Sequence, residues 1–157
     1  MSVLRSQRDD GFTLIELMVV ILIIAVLIAV AIPTFLGFRR NAFDVAAKSA
    51  VENALKAAKA VYADDDSYVS ADPVTLKLTE GSLGYVDGVT PSDGPLTVSV
   101  HNMDPSGQVI VLSVYSQSGT CWFLRDDDIV GTQYGSMAGA MAVCFAGNGG
   151  VAFGPSW

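Results

Sequence analysis

Two cysteines and a single histidine are the residues of this 157-residue chain best suited to redox or metal chemistry. Cys121 and Cys144 do not form a Cys-x-x-Cys motif, and His101 alone cannot complete a zinc site of the usual kind with them. If the two cysteines lie outside the cytoplasm, a disulfide between them is expected, which would stabilise the folded state by about 3 kcal/mol. Two reduced, buried cysteines are the alternative. The sequence therefore predicts no metal site from these residues.

Two runs of three aspartates, residues 64–66 and 126–128, are the remaining candidates for ligand chemistry. Carboxylate oxygens suit calcium, but neither run has the spacing of a calcium loop, so both are predicted to be solvated acidic turns. Nothing in the sequence marks a catalytic nucleophile, and His101 is predicted to be a partly exposed strand residue. We therefore expect no enzymatic activity and no cofactor.

The composition separates three regions of the chain. Apolar residues make up 51% and charged residues 16%, which excludes a disordered chain, and the net charge of −7 argues against a direct nucleic-acid site. Leu17–Phe38 contains 22 residues without a charge, about the length that crosses a bilayer as a helix. Residues 39–62 carry a net charge of +3 and residues 63–157 a net charge of −9. A basic neck therefore joins an apolar segment to an acidic head.

A single long helix is predicted from Phe12 to about Tyr62, apolar all round in its first half and amphipathic in its second. Pro33 removes a backbone donor and, with Gly37, is predicted to kink the helix. The run from Asp64 to Ser67 is predicted to end it.

The amphipathic half has two predicted faces. The apolar face has residues at spacings of three and four: Phe43, Ala47, Ala50, Val51, Ala54, Ala58, Val61 and Tyr62. The opposite face has charges of alternating sign at a spacing of four: Asp44, Lys48, Glu52 and Lys56. This second face is predicted to be solvated and ion-paired along the helix.

Residues 63–157 are long enough for a small sheet that packs on the helix. Residues 70–94 are predicted to be a loop with short elements, and strands are predicted at residues 96–101, 109–116 and 120–124. Residues 129–157 show no clear pattern, and Trp157 is a candidate subunit contact. The expected fold class is α+β, a long N-terminal helix packed on a small antiparallel β-sheet head.

The junction Asp10-Gly11-Phe12-Thr13-Leu14-Ile15-Glu16 begins the apolar stretch abruptly. A secretory signal is instead cleaved after its apolar core, which is shorter than this one. Glu16 lies within the apolar helix, where an unpaired carboxylate costs on the order of 3 kcal/mol. Glu16 is therefore either paired and functional, or simply solvated at the depth of the lipid headgroups.

The sequence Gly11-Phe12-Thr13-Leu14-Ile15-Glu16, followed by an apolar stretch with Pro33, strongly resembles the prepilin signature of type IV pilins and related pseudopilins. The resemblance extends from Gly11 to about Tyr62, a third of the chain, and is closest to pilins of Gram-positive, actinobacterial-type bacteria. The head is similar only in outline, as helix, loop, antiparallel strands and a late cysteine pair.

This resemblance implies four parts: a leader (1–11), an apolar transmembrane and filament-core segment (12–38), the amphipathic half-helix (39–62) and the head (63–157). A prepilin peptidase is expected to cut between Gly11 and Phe12 and to methylate the new amine of Phe12. Glu16 is expected to neutralise that amine on a neighbouring subunit as the assembly machinery builds a helical homo-oligomeric filament. The apolar segment would lie in the lipid of the cytoplasmic membrane before assembly and in the core of the extracellular pilus afterwards.

Three alternatives stay open at this stage. The chain could be a minor pilin or a type II secretion pseudopilin, or, in a different class, a single-pass membrane-anchored binding protein. Gly11 and Glu16 argue against the last of these.

The leader has no net charge and Arg39 and Arg40 follow the apolar segment, so charge alone does not fix the topology in the membrane. Adhesion, twitching motility and DNA uptake are not distinguished.

Overall fold

The computed structural model describes residues 12–157. Its secondary structure is one long helix and one short helix, followed by five strands and a single turn of 3-10 helix. The elements are α1 (Leu14–Asp65), α2 (Pro73–Thr79), β1 (Gly84–Asp87), β2 (Thr97–Asn102), β3 (Val109–Tyr115), β4 (Thr120–Asp127), β5 (Gly131–Ala138) and the 3-10 turn (Met141–Val143). This architecture confirms the expected α+β class.

Helix α1 continues beyond its predicted end at Tyr62. Asp64 and Asp65, expected to terminate it, are still helical, and the chain leaves the helix at Asp66, whose φ is +55°. The Asp66 N–H donates to the Tyr62 carbonyl at 2.7 Å, which satisfies one of the free carbonyls of the last turn. Aspartate tolerates the left-handed conformation better than most residues, which explains why the turn falls there.

The chain divides after Phe38 into two units, and Arg39–Trp157 is a compact unit with its own core. Its five strands form one sheet in the order β1-β2-β3-β4-β5. The pairs from β2 to β5 are antiparallel, but β1 pairs with β2 in parallel, in the register Gly84↔Thr97. The sheet is therefore antiparallel as expected except at this edge, where the connection 88–96 returns the chain to the start of β2.

The second half of α1 packs on one face of this sheet. Its buried residues are mostly alanines: Ala47, Ala50, Val51, Ala54, Leu55, Ala57, Ala58 and Val61. They share a core with alternate residues of β3, Ile110, Leu112 and Val114, all completely buried. The predicted apolar face is confirmed, although Phe43 and Tyr62 at its ends are only half-buried. Small side chains bring the helix close to the sheet, so this core leaves little room for added volume.

The other face of the sheet is covered by the C-terminal segment. Cys121, Phe123 and Val111 form a second buried cluster with Cys144 and Ala146. The segment also pairs with β5 through two hydrogen bonds between Tyr134 and Gly154, of 2.8 and 2.9 Å. Strand β3 is consequently buried on both sides, as its almost uninterrupted apolar sequence requires.

The predicted solvated face is confirmed at Glu52 and Lys56, which are exposed, but the predicted ion pairing along the helix is wrong. Asp44 accepts hydrogen bonds from Ser118 and from the Trp122 indole, and the Lys48 ammonium lies 4.0 Å from the centre of the Trp122 ring. Neither side chain pairs with the charge four residues away. The head offers these two residues partners that exclude water better than a solvated helix surface does, so tertiary contact replaces the local pairing.

Candidate functional site

The predicted junction between leader and apolar helix is described from Phe12 onward, and Gly11 lies outside the described residues. Phe12 is 83% exposed. Thr13 precedes the first residue of α1, and its hydroxyl oxygen accepts the Glu16 N–H at 3.3 Å. The same hydroxyl lies 3.4 Å from Glu16 Oε2, to which it donates. Thr13 and Glu16 thus form a capping arrangement, which the Thr-x-x-Glu spacing before an apolar run could have indicated.

The capping arrangement explains why the helix begins at this point, because it satisfies one of the free N–H groups of the first turn. It also holds the Glu16 carboxylate beside the N-terminal turn, where a negative charge is stabilised by the helix dipole. Glu16 therefore has a local structural role in addition to any role between subunits.

The apolar half of α1 exposes all of its large side chains. Their exposed fractions range from 46% at Val20 to 77% at Leu14. The helix contains a window long and apolar enough to cross a membrane, and none of that window is buried. A continuous apolar surface of this length must be covered by lipid or by protein in the functional state.

Pro33 and Gly37 lie within α1, which is continuous through both residues. The Thr34 hydroxyl donates to the Val30 carbonyl at 3.2 Å, next to the position where proline supplies no N–H. A Cβ added at Gly37 would meet no atom within 4 Å. The kink stays a prediction.

A disulfide joins Cys121 in β4 to Cys144, directly after the 3-10 turn, with a Cα–Cα distance of 5.4 Å. Both residues are buried. Around it, two hydrogen bonds from backbone N–H groups hold the segment in place: Ser92 N–H donates to the Cys144 carbonyl at 2.8 Å, and Ala146 N–H donates to the Ser99 hydroxyl oxygen at 3.0 Å. The disulfide therefore fixes the cover of the second sheet face.

In the aspartate run 126–128, only Asp128 is solvated as predicted, because Asp126 and Asp127 are buried. Asp126 lies in β4, is 6% exposed, and accepts hydrogen bonds from Tyr68 at 2.6 Å and from Thr132. The Lys59 ammonium lies 3.0 Å from Asp126 Oδ1, the oxygen that also accepts from Thr132, whereas Tyr68 donates to Oδ2. Burial works to raise the pKa of Asp126, but these three donors together lower it below the usual value. Strand pairing with β5 is what places this carboxylate inside.

The other residues singled out in the sequence lie apart from one another. His101 is half-buried in β2, as predicted. Trp157 packs within its own subunit, with ring centres 5.2 Å from Trp122 and 4.9 Å from Tyr134. Within residues 12–157, no three His, Cys, Asp or Glu side chains come together in a way that could hold a metal ion.

A long helix with an exposed apolar first half, whose second half packs on a small sheet, defines a pilin-like class of protein. The family model described as "Prokaryotic N-terminal methylation motif" matches residues 6–32. The chain is 30% identical over 122 residues to the type IV wide pilus major component PilA4 of Thermus thermophilus, covering 78% of this chain and 85% of that protein. Over 63 residues it is 41% identical to the type IV major pilin protein PilA of Myxococcus xanthus, covering 40% of this chain and 29% of that protein.

No solved structure matches the chain significantly. The chain belongs to the type IV pilin family, since it matches one major pilin along most of that protein's length. The methylation motif coincides with the junction and with most of the exposed apolar surface described above.

Proposed function

We propose that this protein is a structural subunit of a type IV pilus, without catalytic activity of its own. It is made as a single-pass precursor in the cytoplasmic membrane, with residues 39–157 outside. The exposed apolar half of α1 carries this proposal, because one surface suits both lipid and the bundled helices of a filament core. Its similarity to major pilins favours a principal subunit over a minor pilin or a secretion pseudopilin.

Maturation is proposed to occur between Gly11 and Phe12, by a membrane-embedded prepilin peptidase that also methylates the new amine. The methylation motif spans this bond. The assembly machinery then moves the subunit from lipid into the filament. In this step Glu16 neutralises the amine of Phe12 of a neighbouring subunit, because two unpaired charges in apolar surroundings cost far more than a close pair.

Mass spectrometry of the N-terminal peptide in sheared surface filaments tests the proposal. A methylated Phe12 start in sheared filaments is expected. The same start confined to membranes would indicate a minor subunit or a pseudopilin, and an intact leader would indicate a membrane-anchored binding protein. Gly11→Leu should block cleavage, whereas Gly11→Ala retains a small residue and is the matched control. A Phe12 start in Gly11→Leu would show that the cleavage site is wrongly assigned.

The charge of Glu16 can be separated from its capping role. Glu16→Gln keeps a side chain that can complete the capping arrangement but removes the charge, whereas Thr13→Ala removes the cap and keeps the charge. If the charge acts between subunits, Glu16→Gln and Glu16→Ala should both lose most of the filament yield while cleavage continues. Thr13→Ala should assemble nearly normally. Normal filament yield from Glu16→Gln would exclude the pairing role.

A further inference from the structure

The turn between β4 and β5 presents two large apolar side chains to water. Ile129 is 91% exposed and Val130 62% exposed. Hydrogen bonds fix the turn, because Asp127 Oδ1 accepts the N–H groups of Ile129 at 3.0 Å and Val130 at 3.1 Å. Asp127 Oδ2 accepts from the Arg125 guanidinium at 2.7 Å. We call residues 128–130 the tip; its fixed backbone has little conformational entropy left to lose on docking.

An apolar groove lies at the opposite edge of the sheet, between α2 and β1. It has a volume of about 440 Å³ and is lined by Pro73, Val74, Lys77, Leu78, Gly84 and Tyr85. Val74 and Leu78, one helical turn apart, are 69% and 83% exposed. We call this the α2–β1 groove.

The charges beside the tip and the groove are opposite in sign. Asp128 is exposed next to Ile129. Lys77 is one of only two cationic residues between 63 and 157, and it lines the groove. Its ammonium is held in place by the carbonyls of Gly81 and Leu83, each at 2.7 Å. Glu80 lies near enough for the Lys77 charge to act on it, but Glu80 does not line the groove. A tip meeting another tip would bring two Asp128 carboxylates together, and a groove meeting a groove would bring two ammonium groups together. The charges therefore favour tip against groove.

We propose that the tip of one subunit docks in the α2–β1 groove of a second copy of this chain, with Asp128 facing Lys77. The inference rests on the proposed function and names head surfaces through which filament subunits meet. The two surfaces are different and lie at opposite edges of the sheet, β5 and β1. Contacts of this kind are head-to-tail, and they extend into an open filament when the rotation between subunits does not close a ring.

Engineered cross-linking in sheared filaments tests the contact. Leu78→Cys with Ile129→Cys should give a ladder of covalent multimers on a non-reducing gel after mild oxidation. A disulfide forms only when the two Cα atoms come within about 7 Å. The matched control is Ile129→Cys with Val89→Cys, since Val89 is 75% exposed but lies outside the groove. The proposal would be overturned if filaments form but give no covalent multimers, or if the control variant gives equally many.

A charge exchange tests the same contact without cysteines. Asp128→Lys should lower filament yield on the order of tenfold, because it places two cations together. Lys77→Asp alone also removes the donor to Gly81 and Leu83, so the double variant is compared with it. The double variant should assemble better than either single variant. Unchanged yield from Asp128→Lys, or no recovery in the double variant, would count against the docking.

The two proposals fail in different ways. A methylated Phe12 start in sheared filaments that give no ladder would leave the pilus function standing and exclude this contact. Absence of filaments from the unmodified chain in its native cells would instead remove the proposed function itself, whatever the cysteine variants do.

Discussion

The two halves of α1 treat apolar side chains in opposite ways. Up to Phe38 all large apolar side chains are exposed, and these are leucines, isoleucines, valines, methionine and phenylalanines. After Arg39 the buried stripe consists mainly of alanines, which pack against larger residues from the sheet. The second half packs on the sheet of the same chain, whereas the apolar side chains of the first half need lipid or another protein to cover them.

Under the proposed function, this difference lets one helix serve two environments. Small residues suit a fixed intramolecular contact, because the larger side chains of the sheet fill the space beside them. Large exposed residues suit a surface that changes partners, since lipid tails and neighbouring helices both accept them. The boundary between the two halves coincides with the paired arginines Arg39 and Arg40.

The largest effect is expected from a charge in the apolar half. Val26→Asp should leave the precursor in the membrane, because the remaining apolar residues still favour insertion. It should lower filament yield on the order of a hundredfold, since an unpaired carboxylate in the filament core costs about 3 kcal/mol. The measurement is the amount of subunit in sheared and membrane fractions. Val69→Asp, at an exposed valine after α1, is the control and should assemble normally. Normal yield from Val26→Asp would refute the filament-core role.

Removal of the disulfide should weaken only the compact unit. Cys121→Ala with Cys144→Ala should lower the free energy of unfolding by about 3 kcal/mol, because the unfolded chain regains the entropy of an open loop. The test is denaturant unfolding of the detergent-solubilised full chain, followed by tryptophan fluorescence. Wild-type protein under reducing conditions should unfold like the variant. A loss below about 1 kcal/mol would show that the backbone hydrogen bonds alone hold the C-terminal segment.

Added volume distinguishes the buried stripe from the rest of the same half-helix. Ala54 is completely buried, so Ala54→Leu should reduce the free energy of unfolding by about 1–3 kcal/mol through overpacking. Ala60 is exposed, and Ala60→Leu should change it by less than about 0.5 kcal/mol. Equal effects in the same unfolding assay would contradict the close packing of the helix on the sheet.

The smallest effect concerns acid stability. The pKa of Asp126 is lowered in the folded protein, so its stabilising contribution is present above the unfolded value and is lost as pH falls through the folded value. The free energy of unfolding should therefore decrease below a pH of about 4. Asp126→Asn should show a weaker decrease over the same range, measured by denaturant unfolding at several pH values. An identical pH profile would assign the acid sensitivity to other carboxylates, such as Asp127, whose pKa is also lowered.

Strong periodic patterns predicted most of the fold. The apolar run, the alanine-rich stripe and strands β2 to β4 have local signals long enough to decide their type. Strand β5 was missed because Gly131, Gly135 and its polar residues have weak strand propensity; pairing with β4 along its whole length makes it a strand. The predicted ion pairing along the helix is wrong for a related reason, since a helical pattern cannot show that Asp44 and Lys48 will contact Trp122 instead of each other.

By itself the sequence determined the methylation motif, the apolar helix and the amphipathic half, because these depend on residue types at short and regular spacings. Tertiary structure alone decided the burial of Asp126, the packing of Trp157 and the positions of the tip and the groove. Each of these depends on residues distant in the chain, brought together by the pairing of strands and the closure of the C-terminal segment on the sheet. Such contacts have no local sequence pattern, because they form only after the strands have paired in their order within the sheet.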